Sequence, residues 1–473
     1  MKFKKILSAA LIFVLLFLIC GCAEKNNNIN SQNIFSSSDY SSEASSEVSL
    51  VSSSVASVIS EASSVSSKKP VSAILSSSSI SSSEISGPTE ILPKNYDNMK
   101  AIWLSQFDLK PIYLKDGKQR PKADFEAKIT TVLKNVKDLG FNTIFVQVRP
   151  YADSFYPSTL YPASSYVTGQ YGVNFSYDPF SIIVARARGL NLSVHAWINP
   201  MRAVGEEEIK KVPNVYKIKQ WYNEKSDRLV NVGGRLYLNP AYSDVRKLII
   251  DGANEILRLY KIDGLHMDDY FYPTVSADFD KTAYENYLKN GGKLSLADFR
   301  RENLNLLVKG LFSAVKEQND KLLFGISPAG NLETVFGEHY ADVYSWCSET
   351  GYIDYICPQV YFGLKHEFYP FDSVIKQWQN IIKNGNIKLI IGMTLGKAKA
   401  KDDPYAGKGR NEWSQSTDIL KRCLQETKKL NKCAGVSFFS YQYFYSPLEN
   451  TPDPDTKAEM DNLIPALKEI KWK

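Results

Sequence analysis

From Met99 to the C-terminus the chain alternates short apolar or β-branched runs with stretches of helical spacing, eight times over. The runs cover residues 101–107, 143–148, 192–198, 264–268, 322–327, 355–361, 389–394 and 436–440. The helical stretches cover 124–139, 179–188, 243–260, 296–316, 340–350, 371–383, 415–430 and 457–470. Runs this apolar read as strands buried on both faces, which is the condition of a parallel sheet covered by helices. Eight such units over about 370 residues predict an α/β fold, a (β/α)8 TIM barrel with long βα loops. A doubly wound open sheet is the alternative, but no Gly-rich phosphate turn follows an early run. Gly140, Gly189, Gly264 and Gly435 stand just before or at the start of a run, where an αβ connection often needs positive φ. The segments after the runs are the long ones, 201–242 and 271–297 above all. Long aromatic-rich loops on one face of a barrel build a substrate cleft.

The first 95 residues do not join this pattern. Lys2, Lys4 and Lys5 precede an apolar run over 6–19, too short for a membrane span of about 20 residues. The run ends Ile19-Cys20-Gly21-Cys22, which resembles a bacterial lipoprotein signal; residues 1–22 are expected to be that signal, with Cys22 the lipidated first mature residue. A plain secretory signal is the alternative. Residues 23–95 are serine-dominated, with no sustained periodicity and almost no aromatics, so they read as a disordered tether. A coil of that length reaches roughly 45 Å. The resulting expectation is an extracytoplasmic protein, lipid-anchored to the cell membrane and monomeric, with a catalytic domain over 96–473. A net charge of +6 without a strong basic block gives nucleic-acid binding little support. Cys347, Cys357, Cys423 and Cys433 lack C-x-x-C or metal-finger spacing and are expected to be buried free thiols.

Chemistry-bearing residues collect at the ends of the runs. The fourth reads Asp263-Gly264-Leu265-His266-Met267-Asp268-Asp269-Tyr270, a strand ending in twin carboxylates. At the carboxyl end of a barrel strand such side chains face the catalytic mouth, where two neighbouring acids can be pushed to different pKa values. That is a requirement of glycosidic cleavage, so Asp268 and Asp269 are the candidate catalytic pair. Gln147 and Arg149 end the second run, His195, Trp197 and Asn199 the third, with Arg202 after it; Gln359 and Tyr361 end the sixth. Together with His266 and Tyr270 these are the candidate substrate-binding residues. Aromatic faces stack on pyranose rings, while amides and arginines hold hydroxyls and carboxylates. No cofactor and no metal is implied by this set.

The pieces Ile102-Trp103, Phe145 to Pro150, Ser154 to Ser158, Tyr177-Asp178-Pro179, His195 to Pro200, Asp263 to Pro273, Ile326-Ser327-Pro328 and Asp354 to Tyr361 resemble, in order, the bacterial glycosyl-hydrolase-like 10 family. The resemblance covers about Met99 to the C-terminus. It implies a TIM barrel and a glycosidase of the cell envelope acting on polysaccharide.

A weaker likeness to family 18 chitinases matches Asp263, Gly264 and Asp268, but His266 replaces an Asp and Tyr270 replaces the acid. Asp268-Asp269 resembles the adjacent acid pair of family 20 hexosaminidases, with Tyr361 where both families place a tyrosine. That likeness implies substrate-assisted hydrolysis of an N-acetylated amino-sugar glycan, the peptidoglycan strand foremost. Asp269 is then the acid, Asp268 the holder of the acetamido group, and Tyr361 its helper. A retaining mechanism stays open, with Asp268 as nucleophile and Asp153 or Glu333 as acid. So do a non-catalytic carbohydrate-binding barrel and a metal-dependent polysaccharide deacetylase using His195, His266 and Asp268 as ligands.

Overall fold

Apolar runs form strands β1 (Met99–Leu104), β2 (Thr143–Arg149), β3 (Ser193–Ile198), β4 (Gly264–Asp268), β5 (Leu323–Ser327), β6 (Tyr355–Ile356), β7 (Lys388–Thr394) and β8 (Cys433–Phe439) in a computed structural model. All pair in parallel with their sequence neighbours, and β8 pairs with β1 to close the barrel. The structure describes residues 92–268 and 271–472; the expected signal, Cys22 and most of the tether lie outside them, as do Asp269 and Tyr270. Lys94 donates its backbone N–H to Asp263, and Asn95 donates its side-chain N–H to the carbonyl of Asp263. The folded unit therefore takes in the last residues of the serine-rich segment.

Helices cover the barrel where their spacing predicts them. The helix Ser243–Leu259 buries Val245, Leu248, Ile249, Gly252, Ala253 and Ile256, the i, i+3, i+4 stripe of a helix lying on a sheet. Inside, Ala101, Trp103, Phe145, Trp197, Tyr355, Cys357 and Ile390 pack against one another. Glycines on the staves make the room: a Cβ on Gly325 would stand 2.0 Å from the Tyr355 ring. Cys347, Cys357, Cys423 and Cys433 are buried free thiols.

Three features depart from the sequence reading. β1 stops at Leu104 because Ser105 caps a helix, Gln106–Tyr113, through a reciprocal capping box with Asp108. β6 has only two residues, since Pro358 has no N–H to extend the ladder. The chain returns to the sheet at Gln359 through single bridges to Ala329 and Gly392. Third, the loop after β3 carries a three-stranded antiparallel sheet of Arg202–Gly205, Leu229–Val232 and Arg235–Leu238. Gly233 and Gly234 join the last two strands with φ of 60° and 85°, the positive values that a two-residue hairpin turn needs.

Candidate active site

The end of β4 carries a carboxylate that residues past β3 and β6 hold by both oxygens. Asn199, just past β3, donates Nδ2 to Asp268 Oδ2 at 3.0 Å, and Gln359, just past β6, donates Nε2 to Oδ1 at 2.9 Å. Asn199 is itself oriented: its Oδ1 accepts from Gln147 Nε2 at 2.6 Å, and Gln147 Oε1 accepts the backbone N–H of Gln106 at 2.7 Å. Every amide in this chain has one possible direction, because a backbone N–H fixes the first acceptor and Asp268 accepts last. Four of the twelve candidates thus meet in one network: Gln147, Asn199, Asp268 and Gln359. The sequence reading missed Gln106, which reaches it only because β1 breaks into a helix at Ser105.

His195 and His266 lie elsewhere. In register, His195 is level with Gly264 at the start of β4, four residues or about 13 Å below Asp268 at a strand's rise. Tyr355 Oη bridges the two rings, 3.0 Å from His195 Nδ1 and 2.9 Å from His266 Nδ1. Trp103 Nε1 can only donate, so His266 Nε2, 3.2 Å away, accepts. The His266 proton then sits on Nδ1 and points at Tyr355, whose own proton goes to His195 Nδ1. His195 Nε2–H completes the row on Asn95 Oδ1 at 3.0 Å. Burial lowers His195 to about 3 and His266 well below its ordinary value, so both rings are neutral packing elements of the barrel interior. With their ring nitrogens spent this way and Asp268 higher, the three do not form the ligand set the deacetylase alternative needs. Trp197 is buried in the same interior, one layer below Asn199.

Arg149 points out of the barrel. The β2–β3 register pairs Gln147 with Trp197 but Arg149 with Ile198, so Val148 is an extra residue that flips Arg149 to the outer face. Its guanidinium stacks on Tyr161 at 4.6 Å and lies where a Cβ on Gly252 would stand 2.2 Å from Nη1. A glycine inside an amphipathic helix was the sequence signal for that close approach. Arg202 begins the inserted sheet, donates Nε to the Pro150 carbonyl at 3.1 Å and lies 4.5 Å from the Tyr151 ring centroid. Tyr361 is half-buried beside Phe439 at the mouth, with ring centroids 6.2 Å apart. Glu333 is exposed on its helix.

Two further acids are buried near the strand ends. Asp108 accepts from Ser105 N–H and hydroxyl, the Ser440 hydroxyl and the Gln442 N–H, tying the end of β1 to that of β8. Asp153 accepts the Tyr151 N–H at 2.9 Å. Burial raises each to about 6 against the hydrogen bonds they receive. A carboxyl raised in the folded state adds stability below its unfolded value of 3.8, and that stability is lost as pH rises through about 6. Wild-type stability minus that of Asp153→Asn is therefore expected to fall by up to about 3 kcal/mol between pH 4 and pH 7. Urea denaturation at stepped pH reads this directly, and a flat difference refutes it.

The closed parallel barrel and the doubly hydrogen-bonded carboxylate at its strand ends suit a TIM-barrel enzyme, and the chain's family and relatives make that enzyme a glycoside hydrolase. The comparisons agree: the chain belongs to the glycosyl hydrolase-like 10 family, whose model matches residues 98–407. It is 30% identical over 367 residues to glycosyl hydrolase YngK of Bacillus subtilis, covering 72% of this chain and 68% of that one. It is 28% identical over 392 residues to glycosyl hydrolase DigH of Escherichia coli K12, covering 76% and 87%. The glycoside hydrolase domain of PgaB (BpsB) from Bordetella bronchiseptica shares the fold, with a TM-score of 0.50 at 13% identity over 77% of this chain and 99% of that one.

Proposed function

We propose that this glycoside hydrolase cleaves an N-acetylated amino-sugar glycan, the peptidoglycan strand foremost, from a lipid anchor on the outer face of the cell membrane. The observation that carries the reading is the pair of side-chain amides locked onto Asp268. A carboxylate so held has a fixed position from which to orient a polar substrate group. In the proposed reaction Asp268 holds the acetamido N–H of the sugar. The acetamido oxygen bonds to the anomeric carbon as the bond from that carbon to the bridging oxygen breaks, and Asp269 gives its proton to the departing oxygen. Water activated by Asp269 then adds to the anomeric carbon, opens the cyclic intermediate and restores the proton. Tyr361, two residues after Gln359, assists at the acetamido group. The basic start, short apolar run and Cys22 support the anchor, and the serine-rich segment supports a tether.

The test is digestion of purified wall glycan, native and chemically de-N-acetylated, with mass analysis of the reducing ends. Cleavage of the native glycan at least ~100-fold faster is expected, because the nucleophile belongs to the substrate. Equal rates on both sink the substrate-assisted mechanism, and no cleavage of either sinks the amino-sugar reading. In parallel, Cys22→Ser protein should leave the membrane fraction; if it stays there as wild type does, the anchor is wrong.

A further inference from the structure

Two exposed rings stand on the loop that carries Gln359. Phe368 is 64% exposed, the most of any aromatic side chain among the described residues, and its neighbour Tyr369 is 36% exposed. The loop leaves β6, so it lies on the mouth face of the barrel together with Gln359 and Tyr361. Its tip is tied down. His366 is buried, and its Nδ1 accepts the backbone N–H of Phe368 at 3.3 Å and that of Tyr369 at 3.0 Å. Burial holds the imidazole below its ordinary value, so Nδ1 remains an acceptor. The Phe371 N–H closes the base of the loop on the Gly363 carbonyl at 3.1 Å. The loop after β7 braces it: Glu367 N–H donates to the Ala406 carbonyl at 3.0 Å, and Glu367 Oε2 accepts the Lys408 N–H at 2.9 Å. Lys365 N–H donates to Oε2 of the buried Glu412 at 2.8 Å.

From this geometry we infer that Phe368 and Tyr369 form an outer subsite, on which a sugar of the same glycan stacks beyond the two whose bond is cut. The inference rests on the amino-sugar reading for the identity of that sugar and deepens it. A phenylalanine exposed by itself needs no explanation. Here two consecutive rings share a backbone that one buried histidine has already fixed. The entropy of ordering the turn is lost on folding, so a ligand that stacks there meets a surface in place. Ring faces suit the C–H face of a pyranose, and the Glu367–Lys408 ion pair beside them, at 3.1 Å, offers charged groups to its hydroxyls. Packed contact runs from the platform to the reacting centre. The Tyr369 ring lies 5.4 Å from that of Phe362, and a Cβ on Gly330 would stand 2.9 Å from Phe362 and 2.6 Å from the Gln359 carbonyl. Gln359 in turn holds Asp268. The distance from platform to cleaved bond is thereby fixed, and chains long enough to span it are preferred. Binding away from the reacting centre is shared by ground and transition states, so it shows in KM and leaves kcat in place.

The experiment uses the full chain and a ladder of purified wall-glycan oligosaccharides, from the shortest that is cleaved to long chains. Initial rates and equilibrium binding are measured for wild type, Phe368→Ala, Tyr369→Ala and Phe368→Trp, with thermal melting to confirm the fold. For wild type, KM is expected to fall as the chain lengthens and then to level off. Phe368→Ala should raise KM on long chains roughly fivefold to tenfold, the worth of one lost stacking contact. It should leave the shortest substrate within about twofold, with kcat unchanged on both. Tyr369→Ala should act in the same direction, and Phe368→Trp, which keeps a stacking face, should behave as wild type. A wild-type KM that does not depend on length, or a Phe368→Ala effect that is absent or the same on short and long chains, overturns the subsite alone. Wild type that neither binds nor cleaves any chain overturns the amino-sugar reading together with it.

Discussion

Asp268→Asn is expected to lower glycan hydrolysis by a factor on the order of 10³ while the protein still folds. Both oxygens of Asp268 accept from amide N–H groups, Nδ2 of Asn199 and Nε2 of Gln359. An asparagine there presents an NH2 to one of those donors, so one contact becomes donor against donor. Asn199 cannot rotate to compensate, because its own oxygen is held by Gln147. The substitution therefore removes the negative charge and disorders its frame at once. A variant that keeps turnover within tenfold of wild type, with unchanged melting, would show that Asp268 does not carry the chemistry.

The second large effect concerns stability. Arg300 and Asp280 are both fully buried and paired at 2.6 Å, with Arg300 Nε also 3.0 Å from Asp280 Oδ2. Arg300 further donates to the carbonyls of Val275 and Ser276 and lies against the rings of Tyr272 and Tyr340. One guanidinium thus pins the segment that follows β4. Arg300→Met leaves the Asp280 carboxylate buried without its counter-charge, at an expected cost of about 3–5 kcal/mol. The double variant Arg300→Met/Asp280→Leu removes that stranded charge and should recover part of the loss. Chemical denaturation of the three proteins decides it: a double variant no more stable than the single one would show that the tethering of the loop, and not the unpaired charge, dominates.

The strands, their order and the residues at their ends were legible because buried parallel strands leave a strong apolar signature and end in polar groups. That reading reached Gln147, Asn199, Asp268 and Gln359, which the barrel brings together. It placed His195, Trp197 and His266 with them because alternation along a strand tells which side a residue faces but not how deep it sits. His195 is four residues below the rim, where the ring is packed and neutral instead of exposed to a substrate. Arg149 was assigned to the mouth on the same alternation, and one extra residue in β2 turned it outward. The register of one strand against the next is a property of the pair, so no single strand's pattern contains it.

By itself, the amino-acid sequence determined an eightfold repeat of strand and helix, an N-terminal segment unlike the rest in composition, and a carboxylate at the end of the fourth strand. These rest on local periodicity and composition, which each segment carries alone. Only the tertiary structure decided which amides grip Asp268, that Gln106 starts the row, that the histidines are sealed inside, and that Arg202 and Arg235 each lie against the Tyr151 ring. Such contacts join residues that are tens to hundreds of positions apart, and barrel closure with strand register sets their distances.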